Sequence, residues 1–165
     1  MTKKKETAKL PLAILVDSRE QRPYEFKGQD TIRTALHTGD YSVDGYEDQI
    51  AFERKELGDF YGCLSANRAR FERELDRMKH IRFSGIILEA SLTKLNKHLM
   101  YGNGKWSRMS PGFAMKAYIE WGWKVRIEPC EGRVQGQGMV MKLLKHAWDT
   151  LEAERKAKET KEAGS

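Results

Sequence analysis

Apolar residues along the chain fall into short runs that predict strands. A dense apolar run over residues 10–16, bounded by charged residues, is typical of a buried strand. Two segments joined by the turn sequence DGYEDQ predict a β-hairpin over residues 38–55, whose first strand is Thr38–Val43. The sequences SGIILEA (84–90) and WKVRIEP (123–129) predict two further strands.

Between these strands the apolar period lengthens to that of helices. Apolar residues recur at helical spacing over residues 57–78, and the polar residues 65–67 can divide this stretch into two helices. A short helix or turn is expected over 91–100, and a helix over 111–122 that begins with proline, whose missing N–H costs little there. From about Gly138 the pattern predicts a long amphipathic helix.

This order of elements predicts an α/β fold with a mixed central β-sheet, a β-hairpin and flanking helices. A chain of 165 residues is long enough for one compact domain with a substantial core. We place that domain at residues 10–151, after a disordered tail (1–9) and before a charged C-terminal tail (152–165). Residues 101–112, rich in glycine, are expected to form a long loop.

Composition excludes some classes of protein. Hydrophobic residues make up 39% of the chain and charged residues 33%, and no run approaches the roughly 18 apolar residues of a membrane span. No signal-peptide pattern is present, and Cys63 and Cys130 lack the spacing of a metal or redox site. We therefore expect a cytoplasmic protein without a membrane partner. The net charge of +6 favours an anionic partner only weakly, because part of the excess lies in the tails.

The segment AFERKELGDF (51–60) holds the first candidate chemistry. Side chains two apart on a strand share a face, so Glu53 and Lys55 point the same way and Arg54 points opposite. If the hairpin pairs residues 39–43 with 50–54, Asp40 lies across from Glu53. Two opposed carboxylates destabilise a sheet unless a cation lies between them, and a divalent ion held by oxygen ligands would serve.

The end of the first strand extends this acidic cluster. Asp17 closes that strand, where α/β sheets tend to place ligand-contacting residues, and Glu20 follows it. We expect Asp17 and Glu20 to join Asp40 and Glu53 around Mg²⁺, with the backbone carbonyl of Arg54 as a further ligand. Lys55 would then orient or deprotonate a water and offset charge on a phosphate.

Each of these residues also has an ordinary structural interpretation. Asp17 can simply end a strand, Asp40 can shape a turn after Gly39, and Glu53 with Lys55 can form an exposed ion pair. The ordered combination of Asp-x-x-Glu, Gly-Asp and Glu-Arg-Lys-x-x-x-Asp is much more specific than any of its parts, and it favours a site.

The sequences VDSRE (16–20), GDYSV (39–43) and ERKELGD (53–59) resemble the motifs of a known family. They are similar to the nuclease domain of the xeroderma pigmentosum group F (XPF) family of structure-specific endonucleases, which includes the archaeal Hef proteins. The resemblance implies a restriction-endonuclease-like PD-(D/E)xK fold and an Mg²⁺- or Mn²⁺-dependent cut in branched DNA, such as flaps and forks, during repair, recombination or replication.

The resemblance also implies a role for each motif residue. The metal-site acids would be Asp17, Glu20, Asp40 and Glu53, and the catalytic lysine would be Lys55. Residues that support the site or contact DNA would be Arg19, Arg54, Asp59 and Arg68.

Other features leave the function and the partners open. No tandem helix-hairpin-helix module follows the motifs, as in short bacterial or phage relatives, so we expect a bacterial cell or a phage-infected host. A catalytically inactive DNA-binding or scaffold subunit and a Holliday-junction resolvase of the same fold remain alternatives. The apolar side of residues 139–151 either covers the sheet or pairs with a second copy in a homodimer. A basic loop can stack on bases or pack onto the fold through Lys105, Trp106 and Arg108.

Overall fold

The computed structural model describes residues 9–97 and 111–163, which form six strands and five helices. The strands are β1 (Ile14–Asp17), β2 (Thr31–Thr34), β3 (Tyr41–Val43), β4 (Ile50–Lys55), β5 (Phe83–Leu88) and β6 (Ile127–Pro129). The helices are α1 (Leu57–Cys63), α2 (Arg68–Met78), α3 (Leu92–Leu95), α4 (Pro111–Gly122) and α5 (Arg133–Ala163). None of the helices in these two ranges is long and apolar enough to cross a membrane.

The strands form one mixed sheet in the order β2-β1-β3-β4-β5-β6. Strand β3 runs antiparallel to both of its neighbours, β1 and β4, whereas the three remaining pairs are parallel. Tyr41 pairs with Phe52, which is the register that the predicted hairpin requires. The α/β fold with a mixed sheet, a hairpin and flanking helices is therefore confirmed.

Helices cover the sheet on both faces because alternate strand residues are apolar on each side. On one face, α5 buries Val140 and Leu144 in a cluster with Ile14, Phe52 and Ile87. On the other face, α1, α2 and α4 form a second cluster around Phe60, Leu75, Ile86 and Trp121. The first cluster draws on β1, β3, β4 and β5, and the second on β5 and β6, so the two helical layers meet the sheet over different strands.

Two strands differ from the sequence prediction for backbone reasons. Strand β1 begins at Ile14 rather than Leu10 because Pro11 lacks the N–H that a sheet ladder needs, although Leu10 is still buried. Strand β3 begins at Tyr41 rather than Thr38, since Gly39 has a φ of 75°, which interrupts extended backbone.

Strand β2 was not predicted at all. It forms the edge of the sheet beside β1, and its Ile32 side chain is 46% exposed. A strand without a buried face has no alternation of apolar and polar positions, so the sequence carried no signal for it.

The last helix is longer than predicted at both ends. It begins at Arg133, before Gly138, and continues to Ala163 through most of the segment that we assigned to a charged tail. Exposed ion pairs one turn apart support this extension, including Arg155 with Glu159 at 2.6 Å. Residues 1–8 of the predicted disordered tail lie outside the described residues, as do Lys105, Trp106 and Arg108.

Candidate active site

A cleft of about 770 Å³ opens where the carboxyl ends of β1 and β4 meet the start of β3, and α1 and α2 form its opposite wall. Eight residues that the sequence singled out line this cleft: Asp17, Arg19, Glu20, Asp40, Glu53, Arg54, Lys55 and Asp59. The fold therefore brings three separate motifs together at the end of the sheet where β1 and β4 terminate.

Glu53 and Lys55 share the face of β4 that looks toward the cleft. The Lys55 Nζ atom donates a hydrogen bond to Glu53 Oε1 at 2.6 Å and lies 5.2 Å from the centroid of the Phe71 ring. Burial lowers the pKa of Lys55, but the charge and hydrogen bond of Glu53 outweigh burial and raise that pKa above its ordinary value. Lys55 is consequently a protonated, well-placed cation at neutral pH.

Asp40 is the most perturbed acid of the cleft. Its N–H donates to the Phe52 carbonyl at 2.9 Å, and its Oδ2 atom accepts the Arg54 backbone N–H at 2.7 Å, so regular pairing ends here. Burial and the nearby charge of Glu53 raise the pKa of Asp40 to about 8. The predicted approach of Asp40 and Glu53 is therefore present, and it leaves a repulsion that a cation would relieve.

Gly39 allows this close approach of β3 to β4. With a φ of 75°, Gly39 adopts a left-handed conformation that other residues rarely take. A Cβ atom at this position would lie 3.0 Å from the Phe52 carbonyl oxygen. Its N–H donates to Glu74 Oε1 of α2 at 3.3 Å, so the Gly-Asp segment is held from both sides.

Asp17 has a different environment from the one predicted. Its two oxygens accept hydrogen bonds from the Arg19 backbone N–H, Nε and Nη2 at 2.7, 2.9 and 2.7 Å, and from the Leu36 N–H at 2.8 Å. Burial would raise the pKa of Asp17, yet these hydrogen bonds lower it overall. Asp17 thus anchors the turn after β1 and holds Arg19 at the rim. Its role as a metal ligand stays a prediction.

Glu20 lies at the end of the sheet, between the cleft and Arg54. Its Oε1 atom accepts the Arg22 backbone N–H at 2.7 Å and lies 3.5 Å from Arg54 Nη1. Asp59, in the first turn of α1, lines the cleft with an exposed side chain.

Arg54 faces away from Glu53 and Lys55, as predicted, and enters a buried network that the sequence did not reveal. Its Nε and Nη2 atoms donate to the two oxygens of Glu89 at 2.8 and 3.1 Å, and Nη2 also contacts Glu56. Tyr24 donates its hydroxyl to Glu89 at 2.8 Å. This network fixes the back of β4. The sequence contains only a weak signal for this network, because Glu89 is an isolated acid that directly follows a buried strand.

Arg68 lies outside the cleft. Its Nε atom donates to Glu72 at 2.9 Å, and its guanidinium lies 5.7 Å from the Trp121 ring centroid. The predicted contact of Arg68 with DNA is untested by this arrangement. The charged side chains of α2 that line the cleft are instead Arg70, Glu74 and Arg77, which the sequence analysis did not single out.

The acids of the cleft suit a hard divalent ion in part. Within residues 9–97 and 111–163, no three His, Cys, Asp or Glu side chains are gathered as a ready metal site. Asp40 and Glu53 nevertheless each keep one carboxylate oxygen that accepts no hydrogen bond in these ranges. Because Mg²⁺ takes one or two carboxylates and completes its shell with waters and phosphate oxygens, this pair fits it. A further ligand from the Arg54 carbonyl stays a prediction.

Comparison with known proteins identifies a family and agrees with the fold. The family model of the ERCC4 domain matches residues 16–130. A solved structure of XPF from Aeropyrum pernix aligns with a TM-score of 0.63 at 21% identity, covering 87% of this chain and 69% of that one. A second structure, XPF from Aeropyrum pernix in complex with DNA, aligns with a TM-score of 0.59 at 21% identity, covering 84% and 66%. No curated protein matches the sequence significantly.

Proposed function

The chain belongs to the ERCC4 domain family, and from this premise we propose that it is a metal-dependent DNA endonuclease that hydrolyses phosphodiester bonds. Family membership and the fold shared with XPF support a nuclease domain that acts on DNA. DNA is the ligand of the second XPF structure, which supports DNA as the ligand here. Mg²⁺ or Mn²⁺ as the cofactor and branched or flapped DNA as the substrate are the finer parts of the proposal.

The meeting of Asp40, Glu53 and Lys55 in one cleft is the observation that carries this proposal. Burial and the charge of Glu53 together raise the pKa of Asp40 to about 8, and the Lys55 Nζ atom lies 2.6 Å from Glu53 Oε1. A purely structural cluster would pair each acid with its own cation. Here Asp40 is left with a single hydrogen bond from a backbone N–H in the described part of the chain.

Asp40, Glu53 and Lys55 have different roles in the proposed hydrolysis. Asp40 and Glu53 would hold the divalent ion, which polarises the phosphate and activates water when bound. Lys55, kept protonated by Glu53, would stabilise negative charge that develops on the attacked phosphate. The Lys55 Nζ atom lies 2.6 Å from Glu53 Oε1, beside the proposed metal site, and this position favours the electrostatic role.

The shape of the cleft agrees with an extended strand of nucleic acid as substrate. It is open and lined mainly by charged side chains, unlike the mostly apolar pockets that bind small molecules. Selectivity for flaps or forks rests on the family resemblance, and affinity should fall steeply with salt because phosphate contacts dominate such binding.

The direct test incubates the purified protein with labelled duplex, flap, fork and four-way-junction DNA in Mg²⁺, Mn²⁺ or EDTA. We expect cutting only with metal, and loss of cutting in Asp40→Asn and Glu53→Gln. The matched controls are Asp48→Asn and Glu47→Gln, which make the same chemical changes at exposed positions in the turn between β3 and β4.

Each outcome separates the proposal from its alternatives. Tight binding of branched DNA without any cutting would favour the scaffold subunit, and cutting confined to four-way junctions would favour a resolvase. If Asp40→Asn and Glu53→Gln cut at the rate of the parent protein, the site assignment is wrong.

A further inference from the structure

Most of the positively charged side chains that line the cleft form ion pairs with carboxylates. Arg19 is bound to Asp17, Arg22 to Glu56, Lys55 to Glu53 and Arg77 to Glu74. Arg54 is enclosed by Glu89, Glu20 and Glu56. Within residues 9–97 and 111–163, Arg70 is the cationic side chain of the cleft lining that has no carboxylate partner.

Arg70 lies on the side of α2 that lines the cleft. Arg70, Glu74 and Arg77 are spaced i, i+4 and i+7, so they form one stripe along the helix, and all three line the cleft. Glu74 in this stripe accepts the N–H of Gly39, the residue before Asp40. Phe71, the residue after Arg70, lies under the Lys55 ammonium at 5.2 Å.

The charge of Arg70 also reaches the floor of the cleft. Burial raises the pKa of the Cys63 thiol, and the positive charges of Lys55 and Arg70 both act against that rise. Arg70 therefore stands on the cleft wall that α2 contributes.

We propose that Arg70 binds a backbone phosphate of the DNA strand that occupies the cleft, a role that rests on the proposed nuclease function. The cleft lining is otherwise paired or acidic, with Asp40 and Asp59 adding negative charge, and would repel a polyanion. An unpaired guanidinium offers a bidentate contact to phosphate without first breaking an internal ion pair. Arg70 is thus a binding residue, whereas Asp40, Glu53 and Lys55 act on the bond that is cut.

The test measures binding of fluorescent flap and single-stranded DNA in EDTA over a range of salt concentrations. For Arg70→Ala we expect affinity to fall roughly tenfold and the slope of log K against log salt to decrease by about 0.7 to 0.9, the loss of one phosphate contact. Arg70→Lys should recover part of the affinity. The matched control is Arg73→Ala, which removes the same charge from an exposed position on α2 outside the cleft.

The outcomes distinguish this inference from the proposed function. If the parent protein binds and cuts DNA but Arg70→Ala behaves like Arg73→Ala, the inference fails and the nuclease assignment stands. A tenfold loss in Arg68→Ala with none in Arg70→Ala would also overturn it. If the parent neither binds nor cuts DNA, both fail. Thermal unfolding of Arg70→Ala should match the parent, because the exposed side chain makes no internal ion pair in the described ranges.

Discussion

Replacing Asp40 by asparagine should stabilise the protein while abolishing its activity. Asparagine has nearly the shape of aspartate and can still accept the Arg54 backbone N–H, but it carries no charge beside Glu53. The substitution removes the repulsion between two half-buried carboxylates and leaves the fold intact. The fold would be more stable with a neutral side chain at this position, so the presence of an acid there indicates a functional role.

The magnitude follows from the pKa of Asp40. A rise from 3.8 to about 8 corresponds to roughly 6 kcal/mol of destabilisation when the carboxyl group is fully ionised. Solvent reaches the half-buried Asp40 side chain and screens part of this cost, so we expect Asp40→Asn to gain roughly 2–3 kcal/mol at pH 8. Because the folded-state pKa lies above the unfolded value, the parent protein loses this stability as pH rises from about 4 to about 8.

Urea denaturation in EDTA at pH 5 and pH 8 measures the effect. The difference in free energy of unfolding between Asp40→Asn and the parent should be roughly a third as large at pH 5 as at pH 8. Other titrating groups cancel, since both proteins contain them. Asp48→Asn, at an exposed turn position, should show no such difference.

Two results would refute this reasoning. A less stable Asp40→Asn would mean that the carboxylate is stabilising, and a difference that does not change with pH would mean that its titration is not coupled to folding. Retention of cutting by a stabilised Asp40→Asn would separate the electrostatic argument, which would hold, from the catalytic one, which would not.

Three further predictions concern the surroundings of this acid. Gly39→Ala should lower the free energy of unfolding by roughly 2–4 kcal/mol, because a Cβ atom is unfavourable in the left-handed backbone and would also lie too close to Phe52. The control Gly45→Ala, which has a similar φ but open space around it, should lose only about 1 kcal/mol in the same denaturation assay. Glu89→Gln should cost roughly 3 kcal/mol by leaving Arg54 buried without its main partner, and an unchanged urea midpoint would contradict this. Mn²⁺ affinity, measured by calorimetry, should rise up to about tenfold per pH unit below pH 8, since Asp40 must lose its proton to bind. An affinity that does not change between pH 5 and pH 8 would contradict the combination of a raised pKa and a ligand role for Asp40.

The fold and the centre of the site could be predicted from sequence because they depend on local periodicity. Alternation along β4 correctly placed Glu53 and Lys55 on one face and Arg54 on the other, and the hairpin register brought Asp40 near them. Strand β2 could not be predicted from the sequence because it is an exposed edge strand without a buried face.

The remaining features of the site depend on contacts that no local pattern encodes. Arg68 and Arg70 are two residues apart, and which of them reaches the cleft is decided by the rotation of α2 about its axis when Phe71 and Leu75 pack into the core. The capture of Asp17 by Arg19 and the burial of Glu89 against Arg54 likewise arise only once the chain has folded.

The two sides of β4 differ in their contacts. On one side Arg54 forms ion pairs with acids, and on the other Glu53 and Lys55 line the cleft. Substitutions at Glu53 or Lys55 can therefore remove groups from the cleft without disturbing the ion pairs of Arg54 on the other side of the strand. Under the proposed function, a variant of this kind would lose its nuclease activity and keep its fold. The change from an enzyme to an inactive DNA-binding protein would then need only a few substitutions.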